Sequence, residues 1–110
     1  MLLAKLYTGT RDNLPHLVAR HFSGATLYSA IGLYGGLQER ATIIEIVDDD
    51  TAGIRASVQA LAQDICHANA QQCVLVVVQS ADGRLDRYDV RADTLALLQT
   101  RHTLETETVF

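Results

Sequence analysis

Leu2 to Thr8 alternates, with Leu2, Ala4 and Leu6 on one side and Leu3, Lys5 and Tyr7 on the other, which predicts a strand. Asp12, Asn13 and Pro15 then open a helix, because proline in the first turn loses no hydrogen bond. Its apolar stripe is Leu14, Leu17, Val18 and Phe22, and Ser23-Gly24 ends it. From Ala25 to Tyr34, Leu27, Ser29, Ile31 and Leu33 share a face opposite Thr26, Tyr28, Ala30 and Tyr34. Gly35-Gly36 breaks this strand, and the β-branched run Arg40 to Val47 returns as its hairpin partner.

A second helix follows Asp48, Asp49 and Asp50, whose carboxylates are expected to cap its free N–H groups. Ile54, Val58, Leu61 and Ile65 recur at helical spacing and are expected to pack against Leu27, Ile31, Ile44 and Ile46. Cys73 to Gln79 reads as a central strand covered on both faces, and Asp82-Gly83 as a turn returning Arg84 to Val90 alongside it. Asp93 to Thr100 suggests a short helix, and Leu104 to Phe110 an edge strand.

The order β, α, β, β, α, β predicts one α+β domain over residues 1–110, a ferredoxin-like antiparallel sheet with both helices on one face. A C-terminal hairpin strand and short helix are added to it. The other sheet face then carries Leu3, Tyr7, Tyr28, Ala30, Ile43 and Val47, interrupted by Lys5, Thr26 and Glu45. So apolar a face is expected to be covered, and Leu3, Tyr7, Tyr28, Ile43 and Val47 are the candidate interface of a homo-oligomer, dimer or trimer.

The net charge of −4, with Lys5 the only lysine, argues against nucleic acid as a partner. The longest apolar run, Cys73 to Val78, is too short to span a bilayer, and Met1 to Lys5 does not read as a secretory signal. No membrane association is expected, and residence in the cytoplasm is the default. Cys66 and Cys73, with six residues between them around a polar connection, have no metal-site spacing and read as free, partly buried thiols.

No catalytic signature stands out. His16 and His21 point to different sides of a helix, His67 and His102 lie in polar stretches, and no G-x-S-x-G elbow surrounds a serine. Three adjacent aspartates lack the spacing of a calcium loop, so no metal is expected. No cofactor is implied either, since the glycines form neither a phosphate loop nor a dinucleotide fingerprint. Two glycine-containing loops remain. In Tyr7 to Asp12, Thr8, Thr10 and Arg11 are placed to receive an anion at a helix start; in Gly32 to Arg40, Tyr34 offers a stacking ring, Gly35 and Gly36 an amide nest, and Arg40 a charge.

The segments Lys5-Leu6-Tyr7-Thr8-Gly9, Gly24-Ala25-Thr26-Leu27 and Ala41 to Val47, followed by an acidic helix start, resemble the small ferredoxin-like proteins of the PII-like and CutA-like group. The resemblance covers about residues 3 to 79, without the long signalling loop and glycine-rich phosphate loop of true PII proteins. It implies oligomers that bind nucleotides or small effectors between subunits.

The expected function is therefore a non-catalytic oligomer binding a small anionic or nucleotide-like ligand at a subunit interface through Arg11, Tyr34 and Arg40. Two alternatives stand beside it. One is a protein-interaction module, such as an inhibitor or host-takeover factor, working through Tyr28, Tyr34 or the terminal strand. The other is a small dimeric ferredoxin-like enzyme with Tyr7 or His21 as acid–base residue.

Overall fold

The alternating N-terminal segment forms the central strand of the protein, β1 (Leu2–Gly9), in a computed structural model that describes residues 1–92. Around it lie α1 (Leu14–Ala19), β2 (Thr26–Tyr34), β3 (Leu37–Asp48), α2 (Ala52–Ala68), β4 (Cys73–Gln79) and β5 (Leu85–Arg91). The five strands form one antiparallel sheet in the order β2-β3-β1-β4-β5. The first four follow the ferredoxin-like order, and β5 extends the sheet beyond β4. The expected helix at Asp93 to Thr100, the expected strand at Leu104 to Phe110, and His102 lie outside the described residues.

One face of the sheet is dry. Leu2, Ala4, Leu6 and Thr8 of β1 are completely buried, and register places Ala4 between Ile46 and Val78 and Leu6 between Ile44 and Val76. Val58, Leu61, Ala62, Ile65 and Cys66 of α2 and Leu14, Leu17 and Val18 of α1 close the same core, with Ile54 and Leu27 packed at its margin. Ile31 departs from the expected helix contacts and is 69% exposed. The reason is length: β1 pairs with β3 only from Ala41 to Asp48, so Ile31, opposite Arg40, lies beyond the end of β1.

Beyond that point β2 and β3 continue as a two-stranded arm. It closes through Gly35 and Gly36, whose φ angles of +54° and +82° suit the two-residue hairpin turn that demands positive φ at both positions. Along the arm Leu33 and Leu37 are 67% and 72% exposed.

The acidic run before α2 works differently from the expected helix cap. Thr51, in extended conformation, is the N-cap and accepts from the Ile54 amide at 3.1 Å. Asp50 instead accepts from the Arg55 guanidinium and from the Ala81 amide, both at 2.9 Å, fastening the start of α2 to the β4–β5 turn. Arg55 also donates to the Ser80 hydroxyl at 2.8 Å. In that turn Gly83 has φ +87° and its amide donates to the Ser80 carbonyl.

Both cysteines are buried and neither is in a disulfide among the described residues, and burial pushes the Cys66 thiol up to about 12. No group of three or more metal-binding side chains occurs among the described residues, nor any helix long and apolar enough to cross a membrane.

Two predictions test this packing. Leu61→Ala should cost about 2–5 kcal/mol in chemical denaturation, and a loss under about 1 kcal/mol would show that this face of α2 is misassigned. The Ala81 amide and the Arg55 guanidinium hold the Asp50 carboxyl below its ordinary value, although desolvation acts the other way. The folded-state value is depressed, so this stabilisation is present above the ordinary carboxylate range and lost as pH falls through the folded-state value. Asp50→Asn should accordingly lower the melting temperature at pH 7 and leave it nearly unchanged once the wild-type carboxyl is protonated; an equal deficit at both pH values would contradict the assignment.

Candidate cleft at the end of the central strand

The cleft forms where β1 stops. Gly9 is its last residue and pairs with Ala41; the chain then turns through Thr10, Arg11 and Asp12 into α1, leaving the adjacent part of β2 and β3 only partly roofed. Arg11, Asp12, Leu14 and Pro15 form one wall of a hollow of about 290 Å³, and Leu27, Tyr28, Ser29 and Thr42 the other. A second groove of about 540 Å³ is lined by Ser29, Ala30, Ile31, Gln38, Glu39 and Arg40. Ser29 lines both.

Local bonds set the geometry of the loop. The Thr10 and Thr42 hydroxyls lie 3.0 Å apart and share a hydrogen bond, pinning the loop to β3. Arg11 donates through Nη1 to the Thr10 carbonyl at 2.8 Å, which orients a guanidinium with further N–H donors along the rim. Asn13 donates to the Asn69 side chain at 2.7 Å, so the start of α1 is tied to the end of α2 rather than capped by its own side chain. His21, just past α1, sits 2.6 Å from Asp64 of α2 and helps seat the short helix. With six residues, α1 has too little aligned backbone to act as the positive helix end expected from sequence.

The residues singled out from sequence fall into three groups. Arg11 lines the hollow and Arg40 the neighbouring groove, while Thr10 bonds Thr42 of the hollow's wall. Thr8 is wholly buried beneath it, its hydroxyl donating to Gln71 at 3.0 Å, and reaches a ligand only through its neighbours. Gly35, Gly36 and the backbone of Tyr34 form the arm tip, and Gly36 stands five positions beyond Ala41, or roughly 16 Å at the usual strand rise. The two loops are not one continuous pocket within a single chain.

Sequence reasoning missed Asp12, Ser29, Glu39 and Thr42 as cleft residues. Ser29 and Thr42 read as ordinary strand positions; they are in register with each other, and Thr42, buried and opposite Thr8 of β1, meets the loop through the Thr10 hydroxyl.

Leu3, Tyr7, Tyr28, Ile43 and Val47 do share the sheet face opposite the helices: Tyr7 is in register with Ile43 and Ile43 with Tyr28, while Leu3 pairs with Val47. Leu3, Tyr7 and Ile43 are half-buried, and Val47 is 54% exposed. The face is less uniformly apolar than alternation implied. The Tyr28 hydroxyl donates to Glu45 at 3.3 Å, and Lys5 lies 3.9 Å from the same carboxylate.

A third hollow of about 540 Å³ lies between α2 and β5, lined by Ala52, Arg55, Ala56, Gln59, Val78 and Tyr88. Its guanidinium is committed to Asp50 and Ser80. The cleft beside β1 is the better candidate for a polar ligand.

No protein-family model matches the chain, and no curated protein sequence matches it either. Solved structures do. A phage SAM lyase in complex with S-methyl-5′-thioadenosine superposes with a TM-score of 0.69 at 20% identity, over 84% of this chain and 91% of that one. The fold is similar to that of a phage SAM lyase. The apo state of a phage SAM lyase gives a TM-score of 0.64, also at 20% identity, over 84% of this chain and 90% of the other. This likeness overturns the expectation of a non-catalytic ligand binder, because the matching architecture is that of an enzyme. The resemblance to PII-like and CutA-like proteins narrows to what the structure supports, a small antiparallel-sheet α+β fold.

Proposed function

We propose that this protein binds S-adenosylmethionine in the cleft between Arg11 and Arg40 and cleaves it to S-methyl-5′-thioadenosine. The observation that carries the reading is the superposition on a SAM lyase complex across nearly the whole of both chains. The cleft supplies matching chemistry. S-Adenosylmethionine carries a carboxylate and an ammonium at one end, a sulfonium in the middle, and a ribose and adenine at the other.

Arginine forks suit the carboxylate, and an acidic neighbour suits the ammonium; Arg11 with Asp12 and Arg40 with Glu39 offer such a pair at each end. Leu14, Pro15 and Leu27 offer an apolar wall for adenine, and Ser29 and Thr42 hydroxyls for the ribose.

The reaction breaks the bond between sulfur and the aminobutyrate carbon, and both electrons go to sulfur. The sulfonium charge disappears as the neutral thioether forms. The carbon fragment is released either by losing a proton to a base or by attack of its own carboxylate on the carbon, so neither route needs a further reactant. A site of low polarity around sulfur favours this collapse of charge, and Asp12 or Glu39 is placed to take a proton in the first route.

The open sheet face supports self-association of the chain. Leu3, Tyr7, Ile43 and Val47 form an apolar strip around the Tyr28–Glu45–Lys5 group, and covering it removes apolar surface from water at about 25 cal/mol per Å² before association costs.

The decisive assay incubates purified protein with S-adenosylmethionine and follows S-methyl-5′-thioadenosine by chromatography. Wild type should form it well above the spontaneous rate, and Arg11→Ala should lose about tenfold or more in kcat/KM with an unchanged circular dichroism spectrum. Absence of turnover by correctly folded wild-type protein would refute the reading. Association is tested separately: Val47→Lys, at an exposed position that a single chain tolerates, should shift sedimentation toward monomer, and wild type already monomeric at micromolar concentration would refute that part.

A further inference from the structure

Beside the loop that walls the cleft lies a group of carboxamides, half-buried at Asn13 and Asn69 and buried at Gln71, that the chemistry just described does not use. Gln71, in the connection between α2 and β4, is only 4% exposed. Its Oε1 accepts from the Thr8 hydroxyl at 3.0 Å and from the Gly9 amide at 3.4 Å, holding the last two residues of β1. Two residues earlier, Asn69 accepts from Asn13 at 2.7 Å, holding the other end of the loop where it becomes α1. Thr10 to Asp12, the segment that walls the cleft, is thus stretched between two anchors on one three-residue turn.

That turn is held at a cost. Ala70, between the two carboxamides, has φ +53°, a left-handed conformation in which its Cβ is disfavoured and glycine is usual. Gln71 Nε2, Asn13 Oδ1 and Asn69 Nδ2 are buried without a hydrogen-bond partner among the described residues. Unsatisfied buried groups and a strained backbone at one spot detract from stability, and such features concentrate where a site needs its geometry fixed.

We propose that the Asn69-Ala70-Gln71 turn, and Gln71 above all, is the positioning element of the ligand cleft, setting the course of the Thr10–Arg11–Asp12 wall from a distance of some sixty residues in sequence. Gln71 touches no ligand in this account; it acts through Thr8 and Gly9. The claim about affinity rests on the ligand reading given above, whereas the claim about the loop does not.

The test uses the full-length chain and S-methyl-5′-thioadenosine as probe, measured by calorimetry well below the melting temperature. Gln71→Met keeps the bulk but removes the acceptor, and should weaken binding by about tenfold, whereas Val58→Ala, a core change on α2, should leave it within about twofold despite its lower stability. Gln71→Glu restores the acceptor and should recover most of the affinity. Thr8→Val removes the hydroxyl end of the same bond and should weaken binding by about threefold, so a Gln71→Met chain that fails to fold does not remove the test.

Equal affinities for wild type, Gln71→Met and Thr8→Val would overturn the proposal while leaving the ligand reading intact. If wild type binds no probe, the ligand reading fails, and amide spectra of the free protein decide the positioning claim. Gly9, Thr10 and Arg11 resonances must move and the Gly9 amide must exchange faster in Gln71→Met or Thr8→Val; unchanged resonances and exchange would overturn it.

Discussion

The pairing of β1 on both edges is the constraint from which the rest of the structure follows. Eight residues pair with β3 on one side, and five of them pair with β4 on the other. Their four inward side chains are wholly removed from water. Both helices pack on the face so formed, and the β5 hairpin extends it. A strand paired on both edges has no freedom to slip, because a shift by one residue would turn Leu2, Ala4, Leu6 and Thr8 outward together.

Where β1 ends matters as much as where it lies. Because β3 is twelve residues long and β1 eight, the β2–β3 hairpin runs past its support and leaves a two-stranded arm. At the same point the chain turns away into α1, and the gap between that turn and the sheet is the cleft. The arm and the cleft are therefore two results of one mismatch in strand length. It explains why Ile31 and Leu33 are exposed instead of meeting a helix.

Most of the fold was legible in the sequence because its core elements follow their periods closely. Leu2 to Thr8 alternates cleanly, Val58, Leu61 and Ile65 keep helical spacing, and Cys73 to Gln79 is bounded as the pattern suggested. What was not legible depends on relations between distant segments. Alternation put Ile31 on the helix side correctly but carries no information about whether a helix extends that far. Asp50 read as a helix cap because its partners, Arg55 and the Ala81 amide, come together only on folding. Gln71 looked like one polar residue in a polar connection, and its link to Thr8 spans 63 positions. Of the cleft, the sequence marked Arg11 and Arg40 through their glycine-containing loops, but it joined them to Gly35 and Gly36, which the arm carries away from the end of β1.

The account stands on ligand binding at the end of β1. Amide chemical shifts of isotopically labelled protein titrated with S-methyl-5′-thioadenosine locate that binding directly. The account predicts saturable shifts concentrated at Arg11, Asp12, Ser29, Thr42 and Arg40, with the Arg55 and Tyr88 hollow unaffected; shifts centred on Arg55 and Tyr88, or none at saturating ligand, would contradict it.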